Sequence, residues 1–208
     1  MEKGYFISFE GVDGSGKSTQ IKKLKQYLEG RGYHVVLTRE PGGTAIGEKI
    51  RDIILDPENS DMTDMTEAML YAASRSQHVS RVIEPALVQG KIVICDRFVD
   101  SSIAYQGYGR KLGDCVGIIN EFVIGENLPD LTVWMKIKPE ITSSRMKYRQ
   151  KDRIELEEID FHQRVYDGYE KLEKAFPQRI IGIDATNSID DTYKAIIDRV
   201  EMLLKRNE

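Results

Sequence analysis

Eight residues near the amino terminus carry the densest chemistry in this chain. Gly11-Val12-Asp13-Gly14-Ser15-Gly16-Lys17-Ser18, followed by Thr19, fills the spacing G-x-x-x-x-G-K-[ST], the pattern of a loop that wraps phosphate groups. Its three glycines let the backbone turn N–H groups inward on an anion. Lys17 supplies a point charge for the β- and γ-phosphates of a nucleotide, and the Ser18 hydroxyl suits Mg²⁺. A second pair, Asp96-Arg97, closes an apolar run. The carboxylate is the type that holds Mg²⁺ through water, and the guanidinium is the type that grips an acceptor phosphate with two hydrogen bonds. A third group is the charged segment Arg149-Gln150-Lys151-Asp152-Arg153, with Arg145 four residues before it. Arginines spread this way suit a crevice where several phosphates must be aligned and neutralised together.

These groups need a scaffold. Tyr5-Phe6-Ile7-Ser8-Phe9 is aromatic and β-branched, which predicts a buried strand, and a helix follows from Lys17 to about Leu28. Strand, loop and helix together are the context the phosphate-loop pattern requires. Further strands are predicted at Tyr33 to Thr38, Lys91 to Cys95, Leu131 to Ile137 and Arg179 to Ile183. Helices are predicted from about Ile46 to Leu55, from Met65 with Thr63 or Asp64 as cap, and from Cys115 to Ile124, Glu140 to Tyr148, Glu155 to Phe176 and Ile189 to Lys205. Pro85 should kink or end the second of these, with a short helix then running to Gly90. Phe98 to Arg110 is polar, ends in glycines and receives no element. Apolar strands alternating with helices imply an α/β fold, a five-stranded parallel sheet flanked by helices on both faces. The active crevice is expected at the carboxyl ends of the strands, where Arg39-Glu40-Pro41-Gly42-Gly43-Thr44 also lies.

Composition narrows the classes. The 208 residues fit one domain, 1–208, and 40% hydrophobic with 31% charged residues describe a soluble globular chain. A net charge of −4 argues against a protein that coats nucleic acid. No segment approaches the ~20 apolar residues of a membrane span, and no secretory leader precedes the first strand, so a cytoplasmic location is expected. Cys95 and Cys115 have no metal-ligand spacing; Cys95, at the end of an apolar run, reads as a buried small hydrophobe. There is no N-K-x-D base-reading motif of a guanine-nucleotide switch, and motors need a longer chain.

Three blocks together resemble one family. Phe9 to Gln20 (FEGVDGSGKSTQ), Thr38 to Thr44 (TREPGGT) and Asp96 to Gly107 (DRFVDSSIAYQG) are similar, in order and spacing, to the signatures of thymidylate kinases. The resemblance covers essentially the whole chain. It implies the nucleoside-monophosphate-kinase fold built on a phosphate loop, and transfer of the γ-phosphoryl of ATP to dTMP with Mg²⁺, giving dTDP for dTTP synthesis. Carried over by position, it implies that Asp13 meets the sugar 3′-hydroxyl and that Arg39 or Glu40 shapes the acceptor and metal region. Arg51 and Arg97 would hold the acceptor phosphate, and Ser18 and Asp96 the metal. Tyr71, where a phenylalanine is usual, would stack on thymine. Arg75, one helical turn on, would bond the base O4. Ser101 and Gln106 would complete the base contacts, and Tyr105 would lie where a 2′-hydroxyl would clash. Gly14 stands where some members carry a catalytic arginine, so that group would come instead from a lid at about 142–155. Arg149 is favoured there over Arg145 and Arg153. The resemblance also implies a homodimer, with Met69 to Ala73 as a candidate surface.

Plainer readings compete at several positions. Tyr71 in an Ala/Met/Leu helix can be core, Tyr105 can pack under its own loop, and the charged segment can be a solvated face. Another pyrimidine monophosphate, such as dUMP or dCMP, remains an alternative acceptor, and a nucleotide-binding regulator without turnover is the alternative outside enzymes.

Overall fold

The structure, a computed structural model, describes residues 4–145 and 152–205. Strand β1 (Phe6–Glu10) leads into α1 (Lys17–Gly30), then β2 (Val35–Arg39), α2 (Ala45–Leu55) and α3 (Asp64–His78). Next come a wide-turn helical stretch (Val79–Ile83), α4 (Glu84–Val88), β3 (Ile92–Asp96), α5 (Val99–Ser102) and a second wide stretch (Ile103–Gly109). α6 (Cys115–Ile124), β4 (Leu131–Lys136), α7 (Pro139–Arg145), α8 (Ile159–Ala175), β5 (Ile180–Asp184) and α9 (Ile189–Leu204) complete the order.

The strands form one sheet in the order β2-β3-β1-β4-β5, with every neighbouring pair parallel. Alternation along β1 sorts its side chains between two layers. Ile7 and Phe9 pack with Leu24 and Leu28 of α1 and Ile196 and Val200 of α9. Phe6 points the other way, into Ile83, Leu87, Val93 and Phe98. Glu10, also on that face, ends the strand fully buried. Behind the crevice, Trp134 of β4 stacks on Tyr169 of α8 at 5.6 Å between ring centroids.

As expected, the helix from Asp64 ends ahead of Pro85: α3 stops at His78, the wide turn over Val79–Ile83 follows, and α4, with Pro85 in its first turn, is the short helix before Gly90. One expectation changes. Phe98 to Arg110, given no element from sequence, is helical from Val99 to Gly109. The wide stretch packs on α8, where Gly109 lies against Phe161 and Val165. Its polar residues are the ones that face the crevice, which hid the helical period from a hydrophobicity reading.

Candidate active site

The phosphate loop occupies the gap between β1 and α1, at the position where the strand order reverses direction. Gly11 has φ 126°, and a Cβ there would lie 2.8 Å from the Met135 carbonyl oxygen of β4, so no other residue fits. Lys17 is buried and donates to the carbonyls of Gly11 (2.9 Å) and Val12 (3.1 Å). Burial and the nearby Arg97 charge hold its ammonium below the ordinary lysine pKa. Ser18 and Thr19 are exposed at the start of α1, whereas the Ser15 hydroxyl is buried without a protein partner.

Beside the loop lies a cleft of about 120 Å³ that opens to solvent. Of the residues singled out from sequence, Asp13, Arg39, Glu40, Arg51, Tyr71, Asp96, Arg97, Ser101, Tyr105 and Gln106 line it. Arg97 adopts φ 70°, a strained conformation for a residue with a side chain. Two hydrogen bonds pin it there, from its own amide to the Phe9 carbonyl (2.8 Å) and from the Phe98 amide to Glu10 (2.7 Å). Its guanidinium then meets Asp13 at 3.1 Å and lies 5.1 Å from the Tyr105 ring centre.

Three arginines meet at the cleft, whose lining also carries Asp13, Glu40, Asp96 and Asp152. Arg51 is held below the ordinary guanidinium range by burial and by the like charge of Arg39. Arg39 itself bonds Glu48 at 2.7 Å, and both arginines donate to the Pro41 carbonyl. Three guanidinium groups, from β2, α2 and the end of β3, therefore line the cleft. Tyr71 is half-buried with its ring in the cleft, and burial raises its hydroxyl pKa. That hydroxyl has no hydrogen-bond partner among the described residues. Cys95 is buried, donates to the Arg97 carbonyl and has its thiol pKa pushed up by burial, as expected of a structural thiol.

Two assigned groups stand elsewhere. Arg75 does not line the cleft; it is 1% exposed. Its donors go to Glu40 (2.8 Å), Ser102 (2.9 Å), Asn120 (2.5 Å) and the Phe98 carbonyl (3.0 Å). A bond to a base O4 would require one of these to be given up, so in this structure Arg75 braces Glu40 and α5 instead. Arg153 is also committed, to Glu67 at 2.5 Å and the Ile54 carbonyl at 2.9 Å, which anchors its segment to α2 and α3. Arg149 lies outside the described residues, and only the backbone of Arg145, at the end of α7, is described.

Sequence reasoning passed over Glu10, Glu67 and Tyr169. Glu10 accepts from the Phe98 amide and from the hydroxyls of Ser101 (2.5 Å) and Tyr169 (2.8 Å). Glu67 was open to discovery from spacing: Glu67, Tyr71 and Arg75 recur every four residues, one face of α3.

Comparisons with known proteins agree with this geometry. The family model for thymidylate kinase matches residues 9–196. A thymidylate kinase of Lactobacillus acidophilus is 51% identical over 98% of this chain and 97% of its own length. One from a Thermoanaerobacter species is 50% identical over 97% of this chain and all of its own. The crystal structure of the thymidylate kinase from Ehrlichia chaffeensis superposes with a TM-score of 0.78 at 34% identity, covering 96% of this chain and 99% of that one. With a phosphate loop beside an arginine-lined cleft on the same sheet, the chain belongs to the thymidylate kinase family.

Proposed function

We propose that the chain transfers the γ-phosphoryl group of ATP directly, in line, to the 5′-phosphate of dTMP, giving ADP and dTDP. The observation that carries this reading is the meeting of Arg39, Arg51 and Arg97 in a cleft next to a separate phosphate loop. A nucleotide sensor needs the loop alone; a second anion site beside it serves an acceptor.

In this reading the ATP phosphates sit in the amide cradle of Gly11 to Thr19, with Lys17 turning from its loop carbonyls to the β- and γ-oxygens. Arg51 and Arg97 hold the acceptor phosphate so that its oxygen faces the γ-phosphorus. Asp13, which orients Arg97, also accepts from the sugar 3′-hydroxyl. Tyr105 packs against the deoxyribose, Tyr71 covers one face of the base, and Glu40, Ser101 and Gln106 shape the rest of the acceptor pocket. The Ser18 hydroxyl and Asp96 carboxylate are hard oxygen donors of the kind Mg²⁺ takes. Among the described residues no group of three acidic, His or Cys side chains forms a cage, which fits an ion that keeps waters and phosphate oxygens as its other ligands. Mg²⁺ would supply charge neutralisation on the transferring group. Segment 142–155 acts as the lid over one catalytic unit spanning 1–208, with Arg149 closing on the phosphoryl group and excluding water.

Met69 at 51% exposure supports the α3 face as the homodimer surface. Free Cys95 and Cys115 support a cytoplasmic setting, and no helix among the described residues is long and apolar enough to cross a membrane. The test is ADP release from MgATP with dTMP, dUMP, dCMP, UMP and AMP offered separately. Strong preference for dTMP is expected. Turnover with AMP but not dTMP would refute the acceptor assignment, and binding without product would restore the regulator.

A further inference from the structure

His78, the last residue of α3, is fully buried and does not line the cleft, yet both its ring nitrogens are bound to the segment that leads into it. Nδ1 lies 2.9 Å from Glu40 Oε1, and Nε2 lies 2.6 Å from the Thr38 hydroxyl. Glu40 Oε2 is taken by the Arg75 guanidinium at 2.8 Å. A carboxylate held in this way only accepts, so the hydrogen between His78 and Glu40 belongs to Nδ1. The ring also fills the space beside Gly43, where a Cβ would meet its Cδ2 and Nε2 at 2.7 Å. One turn earlier on α3, Ser74 accepts from the Gly42 amide at 3.1 Å. The helix thus grips the loop after β2, and His78 reaches that loop on both sides of Pro41. The Pro41 carbonyl accepts from Arg39 at 3.0 Å and from Arg51 at 2.9 Å, and all three residues line the cleft.

We propose that His78 is a positioning residue for the acceptor phosphate: by donating to Glu40 it fixes the Pro41 carbonyl, and through that carbonyl the Arg39 and Arg51 guanidinium groups, in the geometry that receives a phosphate monoester. A long, flexible arginine is aimed by what its nitrogens bond, so the site is only as exact as the support beneath it. Thr38 holds the far end of the ring and keeps Nδ1 turned to Glu40. This inference rests on the reading of the cleft as the dTMP site. It confines the effect of His78 to the phosphate end of the nucleotide, because Arg39 and Arg51 are the groups this chain of bonds reaches.

The experiment measures binding of dTMP, and of thymidine, which lacks the phosphate, by titration calorimetry. In His78→Asn the side-chain amide stands near the place of Nδ1 and can still donate to Glu40. In His78→Gln the longer side chain carries its amide to the Nε2 end, where it meets Thr38 and leaves Glu40 without that donor. His78→Gln should weaken dTMP binding by about 10-fold or more, with thymidine changed by less than about threefold. His78→Asn should keep dTMP within about threefold of the unaltered protein. A merely structural role weakens dTMP and thymidine in proportion, and that result overturns the proposal, as does a folded His78→Gln protein with unchanged dTMP affinity. A second readout needs no substitution at 78. The chain has three histidines, His34, His78 and His162, so in histidine-¹⁵N-labelled protein the His78 ring is assigned by elimination with His34→Gln and His162→Gln. Its Nδ1 should carry a hydrogen protected from solvent exchange in the absence of nucleotide. A bare Nδ1, or a hydrogen exchanging at the solvent rate, overturns the proposal. Should the unaltered protein bind no dTMP at all, the acceptor reading fails and the proposal with it, an outcome distinct from dTMP binding that is indifferent to His78.

Discussion

Replacing Glu10 by Gln should change how stability depends on pH, by an amount the structure lets one work out. Glu10 is fully buried, and burial raises its pKa from the ordinary 4.5 to about 7. The Asp100 charge adds to the rise, while bonds from Ser101 and Tyr169 and the charge of Arg97 oppose it. Between those two values the folded chain holds a proton the unfolded chain has released. The stability tied to that proton is fully present below the unfolded value of 4.5 and is lost as pH rises through about 7. At ~1.4 kcal/mol per pKa unit the whole span is about 3 kcal/mol, of which about 2 kcal/mol falls between about pH 5.5 and pH 8.5. Glutamine keeps the acceptor for the Phe98 amide and carries no charge at either pH. Urea unfolding of both proteins at the two pH values isolates the effect, since groups shared by both cancel in the difference. The gap should move by about 2 kcal/mol in favour of Glu10→Gln on going to the alkaline side. Parallel stability curves, within about 0.5 kcal/mol, would mean that Glu10 titrates normally and that burial does not govern it.

Other outcomes follow from the same site. Tyr71→Phe removes a hydroxyl with no partner among the described residues, so dTMP affinity by titration calorimetry should hold or improve by up to about threefold; a tenfold loss would show the hydroxyl in contact with the nucleotide. Gly109→Ala puts a Cβ 2.7 Å from Phe161 Cε2 and 2.9 Å from Val165 Cγ2. Overpacking there should cost about 1–3 kcal/mol and lower Tm by several degrees, and an unchanged melt would mean that α8 yields freely. Arg149→Ala should lower kcat by about 100-fold or more while the Kd for dTMP changes less than about threefold. Equal losses in both would move the lid role to Arg145, because Arg153 is already bound to Glu67.

Local patterns determined much of this protein. The phosphate loop, five apolar strands and the arginines at strand ends could be read in order, because each rests on a short-range rule: a fixed spacing, a run of β-branched residues, a cap at Thr63 that the structure confirms with a bond to the Thr66 amide. Part of the cleft was legible as well, since Asp13, Arg97 and Gln106 come from blocks that follow strands ending on one side of a parallel sheet, whereas Arg51 and Tyr71, on α2 and α3, came only from the family resemblance. What spacing could not decide was which way a buried polar side chain is committed. Tyr71 and Arg75 share a helix face, yet the first lines the cleft and the second is consumed by Glu40, Ser102 and Asn120, from the loop after β2, α5 and α6. Arg153 looked like the other basic residues of its charged segment until Glu67, 86 positions away, was found bonded to it. Glu10 was hidden as the last residue of a strand, because its partners Ser101 and Tyr169 arrive from 91 and 159 positions away. Only the tertiary structure brings those donors together, because a buried charge is settled by whichever groups the packing delivers to it and not by its neighbours in sequence.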